Sequence, residues 1–156
     1  MCLNNWGGID HKVLEFHEYV NLFSGKSGSG KSTVMDAIQV ILYGSFSPSF
    51  LNKAADDAKN RRSVLSYLRG EQKDGSANRK DCDFCSVIAL EIEDTGTHII
   101  TCIGIAFEVR KSDSEIKKFV YFSHSGKMPE SEYLTEQGVC YSNQEIKKLI
   151  QERKPE

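Results

Sequence analysis

The sequence lacks an excess of charge of either sign. It has 20 lysines and arginines against 22 aspartates and glutamates, which gives a formal net charge of −2. A balanced chain has no general electrostatic attraction to nucleic acid. Any surface that contacts DNA therefore has to be local, or has to lie on another part of a larger assembly.

Long apolar runs are also missing. None reaches the roughly 18–20 residues of a membrane-spanning helix, and the opening MCLNNWGGID has neither the basic nor the apolar region of a secretion signal. We therefore expect a cytoplasmic chain that makes no membrane contact. Its 156 residues are enough for one domain with its own core.

The cysteines do not come in an even number. The five are Cys2, Cys82, Cys85, Cys102 and Cys140. An odd count without a secretion signal argues against a disulfide framework and for a reducing compartment. Cys82 and Cys85 form a CxxC, which would be half of a zinc site or a redox pair, but a structural zinc site takes about four ligands. Since no second CxxC exists, we interpret this pair as incidental.

One motif carries chemistry, in the stretch 22-LFSGKSGSGKSTVMDAIQVILYG-44. Residues 25–32 match G-x-x-x-x-G-K-[ST] without a mismatch. Its glycines permit backbone angles that aim several N–H groups at one point, and these groups bind phosphates together with the positive end of the following helix. Lys31 can reach the β- and γ-phosphates and the Ser32 hydroxyl can ligate Mg²⁺. The alternative is a glycine-rich turn that merely caps a helix.

The motif predicts ATP and Mg²⁺ as cofactors. The predicted binding residues are Gly25, Ser27, Gly28, Ser29, Gly30, Lys31, Ser32 and Thr33, with Ser32 as the metal ligand and Lys31 as the catalytic group. The side chain of Lys26 is interpreted as solvated.

Apolar periodicity divides the chain into three segments of one partial head domain, 1–156. Segment 1–44 is predicted to hold two short strands joined at Gly7-Gly8, a third strand over 19–23, the glycine loop, and a helix over 31–43 that stops at Gly44. Segment 45–81 is predicted to be a polar connector with a short helix over 62–68, ended by Gly70, and a solvated loop over 71–81.

Segment 82–156 changes to period-two patterning near residue 85. Strand-like runs over 86–93, 97–110 and 116–123 predict an antiparallel meander, and a helix is predicted over 143–152. The expected fold class is therefore α/β. We expect the helix over 31–43 to pack under a sheet that includes 19–23, with the meander as a second lobe.

The flanks of the motif carry a resemblance to a known family. A strand, the phosphate loop and a helix of the form S-T-x-x-D-A-I resemble the N-terminal head segment of the structural-maintenance-of-chromosomes (SMC) and RecF-like ATPases. L-N-N-W-G-G-I at 3–9 and R-R-S-V-L-S-Y-L-R-G at 61–70 resemble segments of the MukB/JetC branch, which includes the Wadjet plasmid-defence proteins. The resemblance implies a P-loop NTPase fold, the N-terminal half of an ABC-type head with an antiparallel β-meander lobe.

Several polar residues in these flanks have two interpretations each. Asp36 is either a charge on the exposed helix face or a residue of the site. Arg61, Arg62 and Arg69 are either solvated helix residues or face nucleotide or DNA.

An ABC-type site also needs a Walker B strand, a signature motif and a glutamine-bearing loop. The run 87–92 followed by Glu93-Asp94 is the one Walker-B-like stretch, and its interior Glu91 and meander context make it a poor match. The resemblance therefore implies an ATP-binding segment that hydrolyses ATP only in a complete head. Its implied partners are the C-terminal head half and coiled coil of the same ATPase, a second head, and DNA through the assembly.

A second function class remains open. The chain could instead be a stand-alone small P-loop kinase or NTPase, although such a kinase usually shows βαβ alternation after the loop, and that alternation is not clear here. A degraded remnant that binds nothing is the third possibility.

Overall fold

The computed structural model describes residues 1–47, 51, 63–72 and 75–153. Its elements, in chain order, are β1 (Cys2–Trp6), β2 (Ile9–Val13), α1 (Lys31–Tyr43), α2 (Val64–Arg69), β3 (Phe84–Glu93), β4 (Ile100–Val109), β5 (Lys118–Ser125) and α3 (Asn143–Glu152). Part of the predicted connector, including Arg61 and Arg62, lies outside the described residues. In the part that is described, no helix is long and apolar enough to cross a membrane.

The five strands form one antiparallel sheet in the order β2-β1-β3-β4-β5. The predicted meander is confirmed as β3-β4-β5, with Phe84 opposite Val109 and Glu108 opposite Lys118. β1 joins the same sheet because Cys2 pairs with Ala89 and Asn4 with Val87. The first hairpin and the meander are therefore continuous.

Each face of this sheet carries a helix. Alternate strand residues point to opposite faces, so Ile88, Ile105 and Phe107 lie in one cluster with α1, while other strand residues lie in a second cluster with Ile146 of α3. The α1 cluster also contains Leu3, Trp6, Val34, Ala37 and Val40. This packing fixes the start of α1 beside the end of β1.

The predicted strand over 19–23 is wrong. These residues lie in an irregular segment, where the side chains of Tyr19 and Leu22 are 86% and 87% exposed. A strand needs a neighbour for its backbone N–H and C=O groups, and no strand of the described sheet pairs with this segment. α1 consequently packs on the sheet that contains the meander.

A capping box begins α3. The Ser142 hydroxyl accepts a hydrogen bond from the Glu145 N–H at 3.3 Å, and the Glu145 carboxylate accepts one from the Ser142 N–H at 2.7 Å. Ser142→Ala is expected to lower the free energy of unfolding by about 1 kcal/mol, the usual effect of losing such a cap. Urea denaturation checks this, with the exposed Ser114→Ala as control. Equal midpoints for the two variants would contradict it.

A buried histidine under α3 predicts loss of stability in mild acid. His124 shares a 3.1 Å hydrogen bond with the Tyr133 hydroxyl through Nε2, and its Nδ1 lies 3.1 Å from the Ser125 carbonyl. Burial lowers the pKa of His124. The unfolded chain thus takes up a proton near pH 6.5, whereas the folded chain takes it up only at lower pH. Stability must fall as the pH falls through that interval.

The measurement is the urea midpoint of wild type and His124→Gln between pH 7 and pH 5. We expect the midpoint to fall with acid in the wild type and to fall less in His124→Gln. The same pH slope in both proteins would show that another group controls this interval.

Candidate nucleotide-binding site

The glycine loop leads directly into α1, which begins at Lys31. Gly28 and Gly30 have φ angles of 83° and 88°, in the left-handed region that glycine adopts without strain. The Val34 N–H donates to the Gly30 carbonyl at 3.1 Å, which starts the helical ladder. The backbone N–H groups before Val34 lack partners within the helix, so they are available to an anion at the loop.

The Lys31 side chain folds back over the loop. Its ammonium donates hydrogen bonds to the carbonyls of Gly25 at 2.7 Å and Lys26 at 2.9 Å, and to the Ser29 hydroxyl at 3.2 Å. The residue is half-buried, but its ammonium makes these hydrogen bonds at the exposed surface of the loop, where the motif requires a phosphate oxygen.

A cleft of about 1080 Å³ opens at this loop. Its size suits a small-molecule site. Seven of the eight predicted residues, 27–33, line it, and Gly25 contributes its carbonyl to Lys31. The opposite walls come from Gly8 and Ile9 of the first hairpin and from Tyr67, Gly70, Glu71 and Gln72.

Sequence reasoning missed Trp6, Tyr67 and Arg79. Trp6 and Tyr67 stand in the two segments that carried the family resemblance, but nothing in the sequence showed that these segments meet. Arg79 lies in the predicted solvated loop, yet its side chain is buried. It donates to the Leu68 carbonyl at 2.9 Å, to the Asp10 carboxylate at 2.7 Å and to the Gly7 carbonyl.

The electrostatics of Arg79 follow from this position. Burial lowers the pKa of Arg79, and the neighbouring Asp10 carboxylate opposes that shift. Two backbone carbonyls and one carboxylate therefore accept hydrogen bonds from a desolvated guanidinium, which holds the first hairpin against the end of α2.

The interpretation of Asp36 as an exposed charge is wrong. Its side chain is buried, with 4% of the residue exposed, and its carboxylate accepts a hydrogen bond from the Tyr67 hydroxyl. Arg69 is not solvated either, because it donates to the carbonyls of Lys111 at 3.2 Å and Asp113 at 2.6 Å. It therefore stabilises the β4–β5 turn, and it is absent from the cleft lining.

The Walker-B-like run forms part of a central strand of the sheet. Residues 87–92 belong to β3 in the middle of the antiparallel sheet. The Asp94 carboxylate accepts from Gly96 and Thr97 in the following turn. A carboxylate that does line the cleft is Glu71, which accepts a hydrogen bond from the Ser66 hydroxyl at 2.7 Å.

The CxxC residues lie away from the cleft. Cys82 is exposed and Cys85 is half-buried, and burial raises the pKa of the Cys85 thiol to about 11. Among the residues with described positions, no group of three or more histidine, cysteine, aspartate or glutamate side chains could hold a metal ion.

The phosphate loop lies within a match to a known family. The P-loop containing region of the AAA domain matches residues 1–58. The SbcC component of the nuclease SbcCD from Staphylococcus haemolyticus (strain JCSC1435) is 33% identical over 72 residues, or 44% of this chain and 6% of that protein. The chain thus spans a small fraction of the length of that curated relative. The family match supports a nucleotide-binding P-loop region at residues 1–58.

Proposed function

We propose that this chain is the ATP-binding N-terminal segment of an SMC-like ATPase head, which needs a C-terminal head half for hydrolysis. The observation that carries the proposal is an incomplete P-loop unit. Such a unit consists of a strand, the glycine loop and a helix. The loop and the helix are formed here, while the segment before the loop has no partner in the described sheet.

The helix after the loop supports the same conclusion. α1 buries Val34, Ala37 and Val40 against the antiparallel sheet, yet Met35 and Leu42 on its other side are 44% and 57% exposed. A helix with apolar residues all round normally lies between two layers. The described residues supply one layer, which leaves the outer face of α1 for a second.

The segment before the loop has the composition of a strand in that second layer. Tyr19, Val20 and Leu22 are exposed, and tyrosine and valine are among the residue types that favour strands. Pairing this segment with another sheet would satisfy its backbone groups and cover Met35 and Leu42 at once. In the proposed assembly that sheet comes from the C-terminal head half, which also supplies the Walker B carboxylates.

The proposed assembly contains ATP, Mg²⁺, a coiled coil and a second head. We place ATP and Mg²⁺ at residues 25–33, a coiled coil between the two head halves, and a second head opposite the first. DNA is contacted through the assembly and the setting is cytoplasmic, in chromosome or plasmid processing. The branch that includes MukB and JetC is our preferred placement, on the segments at 3–9 and 61–70.

One observation favours a stand-alone NTPase as the second candidate. Glu71 places a carboxylate on the cleft wall, and a carboxylate can orient an attacking water. This candidate predicts turnover by the chain alone that is lost in Glu71→Gln.

Inserting a charge at Leu22 tests the proposed pairing of the segment before the loop with the C-terminal head half. We expect the chain to co-elute with the C-terminal head half of its ATPase in size-exclusion chromatography, and Leu22→Glu to abolish co-elution because a carboxylate cannot be buried there unpaired. Val139→Glu, at an exposed valine in the turn before α3, is the matched control and is expected to co-elute. Co-elution of Leu22→Glu, or failure of the wild type to bind, would contradict the proposed docking.

A further inference from the structure

Two sequence segments, N-N-W-G-G at 4–8 and S-Y-L-R-G at 66–70, meet behind the first turn of α1. We propose that Tyr67 is a positioning residue of the nucleotide site, which fixes the first turn of α1, and with it Lys31 and Ser32, through Asp36 and Trp6. This inference rests on the proposed nucleotide binding at the loop.

Trp6 connects the first strand to α1. Its indole N–H donates to the Thr33 carbonyl at 2.8 Å, and the whole residue is buried. Its ring stacks on Tyr67, with centroids 5.1 Å apart and planes 9° apart. Rotation of the Trp6 ring would break its bond to Thr33, so the stack with Tyr67 holds that bond in place.

Tyr67 reaches α1 at a second point. Its hydroxyl donates to the carboxylate of Asp36, which is one turn of helix beyond Ser32. Its own carbonyl accepts a hydrogen bond from the Gly7 N–H at 2.8 Å. The start of α1 is therefore held at two points, the backbone carbonyl of Thr33 and the side chain of Asp36.

Gly7, which donates to the Tyr67 carbonyl, is packed tightly against Thr33. A Cβ atom on Gly7 would lie 2.5 Å from Cγ2 of Thr33, so only glycine allows this approach. The buried Arg79 guanidinium donates to the carbonyls of Gly7 and Leu68, which flank the contact on both sides. The turn, the end of α2 and the start of α1 therefore form one packed unit.

The contacts of Trp6 and Tyr67 with α1 affect nucleotide binding because Lys31 and Ser32 belong to the helical turn that these contacts fix. Phosphate and Mg²⁺ ligands must be held to within fractions of an ångström. Tyr67→Phe keeps the ring and its stack on Trp6 but removes one donor from the buried Asp36 carboxylate. We expect it to weaken Mg²⁺-ATP binding about fivefold to tenfold, which is less than the full effect of one charge-assisted hydrogen bond because this bond acts on the nucleotide only through the helix.

The chain provides a matched control at the other end of the same helix. The Tyr121 hydroxyl donates to the Gly44 carbonyl at 2.7 Å, where α1 ends. Tyr121→Phe removes the same atom from a contact with the same helix, away from the loop. If Tyr67 stabilised only the fold, Tyr67→Phe would bind Mg²⁺-ATP as well as Tyr121→Phe does, whereas a positioning role makes Tyr67→Phe bind more weakly.

The experiment measures MANT-ATP binding with Mg²⁺ for wild type, Tyr67→Phe and Tyr121→Phe. In parallel, amide hydrogen exchange over residues 31–36 is measured without nucleotide. Trp6 is the one tryptophan of the chain, so its emission reports on the Tyr67 stack directly. We expect Tyr67→Phe to exchange faster at the first turn and to bind more weakly, with its Trp6 emission shifted, and Tyr121→Phe to match the wild type in all three measurements.

The possible failures are distinguishable. A wild type that does not bind MANT-ATP would reject the proposed function, while exchange at residues 31–36 would still decide whether Tyr67 fixes that turn. Equal affinity and equal exchange in the two tyrosine variants would overturn the inference. If Tyr67→Phe does not fold, Asp36→Asn retains an acceptor for the tyrosine and should bind better than Asp36→Ala, and equal affinity of those two variants would overturn it as well.

Discussion

Lys31→Ala is expected to weaken ATP binding by at least about 100-fold. The Lys31 ammonium lies at the loop surface, held by the Gly25 and Lys26 carbonyls and the Ser29 hydroxyl. A bound triphosphate would receive charge-assisted hydrogen bonds from it, each contributing about 1.5–3 kcal/mol. Loss of two such bonds exceeds the roughly 2.8 kcal/mol that corresponds to a 100-fold change in Kd.

Calorimetry with ATP and Mg²⁺ measures this effect. Lys147→Ala is the matched control, because it removes the same charge from an exposed position on α3, away from the cleft. Equal ATP affinity in wild type and Lys31→Ala would show that the loop does not bind the phosphates.

Two companion variants separate the roles within the loop. Ser32→Ala is expected mainly to reduce the dependence of binding on Mg²⁺, because only the metal ligand is removed. Gly30→Glu is expected to be worse than Lys31→Ala, since Gly30 has a φ of 88° and a carboxylate there would repel the phosphates. Unchanged Mg²⁺ dependence in Ser32→Ala would remove that residue from the metal site.

The second large effect concerns hydrolysis. The isolated chain is expected to turn over ATP negligibly, and addition of the C-terminal head half is expected to restore turnover. Phosphoryl transfer needs a group that orients the attacking water as well as ligands for the phosphates and the metal. The Walker-B-like run forms β3 within the sheet, with Asp94 holding a turn. In the proposed head, the carboxylate that orients the water comes from the C-terminal half.

Helices and strands that are determined by nearby residues could be predicted from the sequence. Both long helices begin and end where they were predicted, because Gly44 takes a left-handed conformation after α1 and Ser142 with Glu145 forms a capping box before α3. The meander was also predictable, since period-two patterning and short turns determine antiparallel neighbours.

Positions that depend on distant partners were not predictable. Asp36 is buried because Tyr67, 31 residues away, donates to it, and Arg79 is buried because the carbonyl of Gly7, 72 residues away, accepts from it. The sequence alone placed Arg79 in a solvated loop and left Asp36 either on the exposed helix face or in the site. The error at 19–23 has the same origin, because strand formation requires a pairing neighbour that no local pattern reveals.

The predicted phosphate-binding residues did come together. A P-loop is a continuous segment whose glycines and first helical turn determine its shape, so 27–33 line one cleft as the motif requires. The second wall includes Tyr67, Gly70, Glu71 and Gln72. The packing of α2 against β1 brings it there, and spacing alone could not place it.

Phosphate release by the purified chain tests the central claim most directly, with Lys31→Ala as the blank and the C-terminal head half added in a second arm. The account predicts that the chain alone releases phosphate no faster than Lys31→Ala, and that the mixture releases it in a manner that depends on Lys31. Turnover of about one per second by the chain alone, absent in Lys31→Ala, would contradict the account, and its loss in Glu71→Gln would identify a complete small NTPase.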